Sequence, residues 1–387
     1  MSDVRILWLT TAASFDGPGR VLSALLNHWP SGDRVTLCVL RTASPEFRNA
    51  VPSGLDIHEL RALGRWDARA IVRFVALCRE QRPDVIHTQL SRADWIGRPV
   101  ARWIRTPVVS TIQNLHSRMY GAEYSWPLAL GGAALDRLTL PFADRLIAVS
   151  GGVKADLERL GARTDRIRVI HNALDLDRRR HLASRAAVRA RWGCADGDLV
   201  IGAVALLKAQ KGIRFLIEAA HRVAEREPRA RFVHIGGGPL LTEARRRIAA
   251  AGLSDRFQLV DRVPEPMTLL GGLDIFVLPS LWEGLPVALL EAMAAGLPCI
   301  GTQVSGIEDA IEPDVSGVLV PPADSSALAA AVLDLCGDPV RRRTLGGRAR
   351  DRVGSRFGAV AMASAYRQVY AELCPRVRSI TTEPGDA

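Results

Sequence analysis

The chain predicts an α/β protein built from two doubly wound parallel sheets, and three observations predict it. Short, wholly apolar runs such as Ile275-Phe276-Val277-Leu278 recur along its length, and runs apolar on both faces belong to strands covered on both sides. Segments with helical spacing lie between them. The alternation stops at a polar, arginine-rich stretch from Asp175 to Asp198 and then restarts. A pattern that stops and restarts in this way predicts two sheets joined by a connector.

Taken in order, the first series of strands is Val4–Thr10, Arg34–Leu40, Val85–Thr88, Val108–Ile112, Leu146–Val149 and Val169-Ile170. Helical segments Val21–Trp29 and Asp67–Gln81 fall between them. The second series is Leu199–Val204, Arg231–Ile235, Phe257–Val260, Ile275–Leu278, Cys299–Gly301 and Val318–Val320. Gly212–Glu227, Leu240–Ala251, Val287–Ala295 and Ala327–Leu335 are its helices. The expected boundaries are an amino-terminal domain at 1–172 and a carboxyl-terminal domain at 173–357. A last helix within 358–374 is expected to return to the first domain. The polar tail 375–387, with Pro384-Gly385, is expected to be disordered. Ligands of such sheets bind at the carboxyl ends of strands, so two facing domains predict one cleft.

At 387 residues, 48% hydrophobic and 24% charged, the composition is that of a soluble globular protein. No apolar run reaches the roughly 18 residues that a membrane span needs. The first residues pass straight into a strand without an export signal, which predicts a cytoplasmic protein. The six cysteines are scattered with no C-x-x-C pair, and read as buried thiols. The net charge is +10. Residues 1–172 carry 23 cations and 16 acids, 23 − 16 = +7, and residues 173–387 carry 28 and 25, 28 − 25 = +3. A basic amino half favours an anionic partner or a membrane surface. Nucleic acid is disfavoured, because aromatics are few and no binding motif is present.

The most informative stretch runs from Glu283 to Glu291. After the apolar strand ending at Leu278 come Pro279-Ser280, then Glu283-Gly284-Leu285-Pro286, then a helical run from Val287. A strand, a tight turn and a helix start leave free N–H groups at a positive helix end, suited to phosphate. Glu291 lies two helical turns beyond Glu283, roughly 12 Å along the axis. The two carboxylates are too far apart to be one acid–base pair, and suit two parts of one long polar ligand. A second cluster, Lys208-Ala209-Gln210-Lys211-Gly212, holds two of the three lysines and precedes a helix.

Together these motifs resemble the family-4 retaining glycosyltransferases of the GT-B fold, over nearly the whole chain from Val4 to Leu373. The signature is similar to Phe276-Val277-Leu278-Pro279-Ser280-Leu281-Trp282-Glu283-Gly284-Leu285-Pro286, continued by Leu290-Glu291-Ala292-Met293-Ala294-Ala295-Gly296-Leu297-Pro298. The resemblance implies that Glu283 contacts the donor sugar and Glu291 the ribose hydroxyls. Leu206-Leu207-Lys208-Ala209-Gln210-Lys211-Gly212 resembles the element whose arginine and lysine hold the donor diphosphate. Lys211 matches the lysine, but Leu206 stands at the arginine, so Lys208 or an arginine from elsewhere is expected to compensate. Gly236 in Gly236-Gly237-Gly238, Arg262-Val263 and Asn172 in Asn172-Ala173-Leu174-Asp175 match further donor-site segments. Ser305-Gly306 resembles a turn that often carries two glycines.

The amino half is looser, as suits an acceptor domain. Gly17-Pro18-Gly19 resembles the glycine loop that faces the diphosphate. Gln89 and Gln113 stand where the family has histidines, the second of them near the reacting centre. Gln113 still hydrogen-bonds a hydroxyl but cannot titrate, and His116 is close enough in sequence to substitute. His87 reads either as a strand-end structural histidine or as a site residue. Ser150 matches a serine that caps the next helix. Asp175-Leu176-Asp177 spells D-x-D, yet lies in the connector and is accounted for by the resemblance, so no metal and no cofactor are expected. Arg92–Arg105 mixes Trp95 and Trp103 with Arg92, Arg98, Arg102 and Arg105. Met119-Tyr120 and Tyr124-Ser125-Trp126 follow in an expected acceptor loop. That mixture suits either a membrane interface or a helix that packs its tryptophans inward, and Pro99 argues against a clean amphipathic helix.

The implied reaction is transfer of a sugar from a nucleoside diphosphate to a glycan or lipid-linked hydroxyl acceptor. It proceeds by front-face substitution, and the leaving diphosphate takes the acceptor proton. The setting implied is bacterial envelope or capsular polysaccharide assembly. Contact with the inner face of the cell membrane would run through the basic amino half. Two other readings stay open: a non-catalytic sugar-nucleotide-binding assembly subunit, and a sugar-nucleotide epimerase of the same fold.

Overall fold

In a computed structural model, the described residues are 4–30, 32–64, 67–118, 126–176, 183–261, 263 and 265–374, with the side chains of 126–129 outside the description. The chain divides into two units, with breaks after Ala173 and after Gly358. Residues beyond Gly358 belong to the first unit.

The first unit runs β1 (Arg5–Thr10), α1 (Gly17–Asn27), β2 (Arg34–Val39), α2 (Pro45–Arg48), β3 (Asp56–Glu59), α3 (Ala68–Gln81) and β4 (Val85–Gln89). It continues through α4 (Ser91–Ile104), β5 (Val108–Ile112), α5 (Trp126–Thr139), β6 (Arg145–Ala148), α6 (Gly151–Arg159) and β7 (Ile167–Val169). Its seven strands lie in the order β3-β2-β1-β4-β5-β6-β7, all pairs parallel. The central strands β4 and β5 are buried along their whole length, and their polar residues His87, Thr88, Ser110 and Thr111 are hydrogen-bonded in the interior.

Two features depart from the expectation. The strand β3 was not foreseen: Asp56-Ile57-His58-Glu59 is polar because it is an edge strand, half-buried throughout. Helix α4 runs unbroken through Pro99. Its outward and inward faces also differ from a simple interface helix. Trp95 and Arg98 are buried, while Arg102, Trp103 and Arg105 are exposed. Ser150 caps α6 as expected, its Oγ accepting from the Val153 amide at 3.2 Å.

The second unit opens with α7 (Arg185–Arg191), then β8 (Leu199–Val204), α8 (Ile213–Ala224), β9 (Ala230–Ile235), α9 (Leu241–Ala250) and β10 (Phe257–Val260). It closes with β11 (Ile275–Leu278), α10 (Val287–Ala294), β12 (Cys299–Thr302), α11 (Ile307–Ala310), β13 (Val318–Val320), α12 (Ser325–Gly337) and α13 (Pro339–Arg356). Six parallel strands lie in the order β10-β9-β8-β11-β12-β13. Strand order reverses between β8 and β11, the switch point where an open sheet of this kind binds ligands. A core of Ile201, Phe232, Ile275, Val277, Leu216 and Val332 fills one side of this sheet.

The last helix, α14 (Ala359–Leu373), packs into the first unit through polar anchors. Tyr370 Oη lies 2.7 Å from His87 Nδ1, and His87 Nε2 lies 2.9 Å from Thr111 Oγ1. Thr111 Oγ1 in turn lies 3.0 Å from Tyr366 Oη. The Trp8 ring stacks on His87 at 3.7 Å, and Arg367 Nε donates to Asp33 at 2.9 Å. His87 is therefore a buried link between sheet and helix. Burial holds its pKa well below the usual value, so the ring is neutral. Arg262, Asp177, Met119-Tyr120, Tyr124-Ser125, the Trp126 side chain and the tail lie outside the described residues.

Candidate functional site

The second unit concentrates the predicted residues on the loops that leave the carboxyl ends of its strands. Lys211 sits between β8 and α8, and Glu283 between β11 and α10. Their side chains meet: Lys211 Nζ is 2.5 Å from Glu283 Oε1. The carboxylate is 4% exposed, so its charge requires partners. Besides Lys211, Ser280 Oγ donates to Oε1 at 2.6 Å and Gln210 Nε2 to Oε2 at 3.3 Å. Gln210 also donates to the Trp282 carbonyl at 2.9 Å, and accepts at its own carbonyl from the Leu281 amide at 2.8 Å. Thr302 Oγ1, on β12, donates to the Ser280 carbonyl at 2.5 Å. Two loops and the end of β12 are thus sewn together around one carboxylate.

Backbone contacts reinforce this. A side chain at Gly212 would place its Cβ 2.0 Å from the Pro279 carbonyl oxygen, and Gly212 has a φ of 64°. Gly306, with a φ of 80°, would place a Cβ 1.9 Å from the Gly284 carbonyl oxygen. Both positions demand glycine, on conformation and on space. Gly306 therefore shapes the Gly284-Leu285-Pro286 turn from behind. Gly236, at the end of β9, lies close against the Ala205 backbone.

The electrostatics of these loops suit an anion. Helices α8 and α10 both begin without a side-chain cap. Helix starts of this kind turn their first N–H groups and the positive ends of their dipoles toward the loops that carry Lys211 and Glu283. Lys208 is half-buried on the same loop, whereas Leu206 is 48% exposed and brings no charge to the arginine position. Glu291 is buried on the first turns of α10, and Val263 is half-buried beyond β10.

In the first unit, Gln113 follows β5. Asn172 Nδ2 donates to Gln113 Oε1 at 3.1 Å, and the Gln113 Nε2 is buried with no hydrogen-bond partner among the described residues. Gly17 and Gly19 begin α1, but Asp16 caps that helix, its carboxylate accepting from the Gly19 amide at 3.2 Å. His116 is buried at 6% exposure, its Nδ1 lying 2.5 Å from Asp136 Oδ2. Trp95 Nε1 donates to the other oxygen of Asp136 at 2.5 Å. Burial lowers the His116 pKa, but the Asp136 charge and hydrogen bond outweigh it and hold the ring above its usual value. Nearby, Arg98 lies 3.3 Å from Asp94 with both side chains fully buried, and Thr88 Oγ1 donates to Asp94 at 2.5 Å. His116 thus has the bonding of a packed imidazole. Among the described residues no cluster of three or more histidine, cysteine or acidic side chains is placed to hold a metal ion.

The second unit is a parallel α/β sheet whose strand-end loops bring a lysine and a glutamate together at the switch point, and comparison with known proteins decides the family. Residues 198–338 match the family model for glycosyl transferases group 1, and residues 15–178 that for glycosyltransferase family 4. The glycogen synthase of Mycobacterium tuberculosis is 30% identical over 354 residues, covering 88% of this chain and 82% of that protein. The chain belongs to the family-4 glycosyltransferases. A second relative is the UDP-Gal:alpha-D-GlcNAc-diphosphoundecaprenol alpha-1,3-galactosyltransferase of Escherichia coli. It is 25% identical over 312 residues, covering 79% of this chain and 80% of that one. Among solved structures, Anabaena HepE in complex with UDP and glucose superimposes with a TM-score of 0.80 at 20% identity. It covers 95% of this chain and 100% of HepE. Sucrose-phosphate synthase from Thermosynechococcus elongatus gives 0.81 at 22%, covering 96% and 100%. The fold is GT-B, two Rossmann-like domains, and the glycosyltransferase is an enzyme.

Gln210 and Ser280, which their sequence context does not single out, both donate to the Glu283 carboxylate. Gln210 meets its partner 73 positions away, a pairing that only the folded loops reveal.

Proposed function

We propose that this glycosyltransferase is a retaining enzyme that moves a sugar from a nucleoside diphosphate to a hydroxyl on a glycan or lipid-linked acceptor, in bacterial envelope or capsular polysaccharide biosynthesis. One observation carries the reading: Lys211 and Glu283 are paired at the switch point of the second sheet, beside two uncapped helix ends. In this reading the donor diphosphate lies over the starts of α8 and α10. Lys211 leaves Glu283 for the diphosphate and offsets the charge that grows on it in the transition state, where such stabilisation accelerates the reaction. Glu283, still held by Ser280 and Gln210, then accepts hydrogen bonds from sugar hydroxyls. Glu291 binds the ribose. The leaving diphosphate takes the acceptor proton, so no metal ion and no titrating base are required. The first unit binds the acceptor, with the Gln113 amide donating to a hydroxyl.

The Escherichia coli relative, named for UDP-Gal, and HepE, solved with UDP, support a UDP-sugar first. The direct test is a thermal-shift series with UDP-, GDP- and ADP-glucose, followed by transfer assays and assignment of the product anomer by NMR. The expected result is stabilisation by one base class and a product with the donor's anomeric configuration; an inverted product overturns the mechanism. Leu206, in place of a cation, motivates a second reading, a non-catalytic subunit. Binding without nucleotide release across all donors and acceptors supports that one instead.

A further inference from the structure

We propose that the amino end of the first sheet is a docking surface for an anionic lipid bilayer. Three turns meet there. The turn into β5 follows α4, the turn into β6 follows α5, and the turn into β7 carries Arg166. They are tied together by backbone and side chain. The Val108 amide donates to Asp144 Oδ2 at 2.8 Å, and the Asp144 amide to the Val108 carbonyl at 2.9 Å. Arg166 Nη1 donates to the Pro141 and Ala143 carbonyls, each at 3.2 Å.

This end of the unit presents large apolar side chains to solvent: Trp103 is 65% exposed, Leu138 68% and Phe142 38%. A single exposed apolar residue is ordinary, but here three sit on contiguous turns among cations. Arg102, Arg105 and Arg137 are exposed and, among the described residues, pair with no carboxylate. Arg79 lies over the Trp103 ring at 5.6 Å, holding a cation against the aromatic face. The acids nearby are mostly engaged: Asp144 by the Val108 amide, and Asp165 by Arg163 at 2.8 Å. Glu80 is exposed beside Arg79 and is the opposing charge.

Unpaired arginines around an aromatic and aliphatic tip match a surface whose headgroups are anionic and whose interior is apolar. A water-soluble polyanion would use the arginines and leave Trp103, Leu138 and Phe142 uncovered. The surface lies at the opposite end of the sheet from Gly17–Gly19 and Gln113, which follow the carboxyl ends of β1 and β5. Docking there leaves that end open. The proposal does not depend on the donor chemistry, and its test does not use it.

The test is co-sedimentation of the full chain with vesicles of phosphatidylcholine alone or mixed with phosphatidylglycerol. Binding to the mixed vesicles is expected, and it should weaken with added salt. R102E/R105E should lower the partition coefficient at least about 25-fold, from about a factor of five for each arginine lost. Trp103→Ala should lower it too, with circular dichroism and melting temperature unchanged in both variants. Equal binding by wild type and R102E/R105E, equal binding to both vesicle types, or no binding at all would overturn the proposal. A concentration-dependent dimer that Trp103→Ala abolishes would also overturn it, by assigning the surface to a second copy.

Discussion

A half-buried Lys211 pairs with the buried Glu283, and such a pair is weak as a source of stability, since desolvation cancels much of the attraction. Its value here lies in what each member does when the other is taken away. With Ser280 and Gln210 also on the carboxylate, Glu283 keeps neutral donors after Lys211 leaves, so the pair can open without stranding a charge. The exposed Leu206 is the opposite case, a position with room and no charge. Leu206→Arg is expected to raise kcat/KM by at least about tenfold, below the 10²–10³ typical of one such electrostatic donor. Unchanged steady-state turnover would mean that another cation already fills the role. Gln113 shows a different economy. Asn172 takes its oxygen, so the amide presents its donor end and has no proton to titrate. The identity of these residues was legible in the sequence. The contact between Lys211 and Glu283 was not, because it spans 72 positions and depends on how two loops cross.

At the scale of elements, the donor loops are held by one another as much as by their strands. Gly306 lies against Gly284, and Gly212 against Pro279. Gly306→Ala therefore combines a disfavoured backbone conformation, about 1–2 kcal/mol, with a Cβ that must push the Gly284 turn aside. Calorimetry should show donor affinity weakened of order ten- to a hundredfold. Unaltered affinity would remove this turn from the donor site. The last helix makes the same point for the first unit. Tyr370→Phe leaves His87 Nδ1 buried without its partner, and urea unfolding should report a loss of about 1–3 kcal/mol with donor affinity unaffected. A loss of donor binding instead would give His87 a functional role. Strands such as β11, Ile275-Phe276-Val277-Leu278, were legible because nothing polar interrupts them. The edge strand β3 was hidden by its polar residues, and α4 by Pro99, whose missing N–H did not stop the helix.

At the scale of the molecule, buried histidines contribute to how stability follows pH. His87 and His234 are buried in the two sheets, and burial lowers both, His234 to about 4. In acid the unfolded chain binds protons that these rings refuse, so stability falls as pH drops from about 6.5. His116 acts in the other sense: its raised pKa adds stability below about 6.5 that is lost as pH rises through the folded value. His234→Gln should remove up to about 1.4 kcal/mol per pH unit of slope between pH 6.5 and 4, read from unfolding at several pH values. A slope identical to wild type would show that His234 is protonated in the fold. The division into two parallel sheets was legible from the interruption after Asp175. The return of α14 to the first sheet rests on Tyr366, Tyr370 and Arg367, whose partners lie more than 250 positions away.

The central claim is that the second unit catalyses by setting a cation against a departing diphosphate. Turnover of the Lys211→Ala enzyme with its preferred nucleotide sugar, measured as nucleotide release at saturating donor, addresses it most directly. A fall of at least about 10²-fold, with the fold intact by circular dichroism, is the predicted result. Turnover within a few-fold of wild type would contradict it.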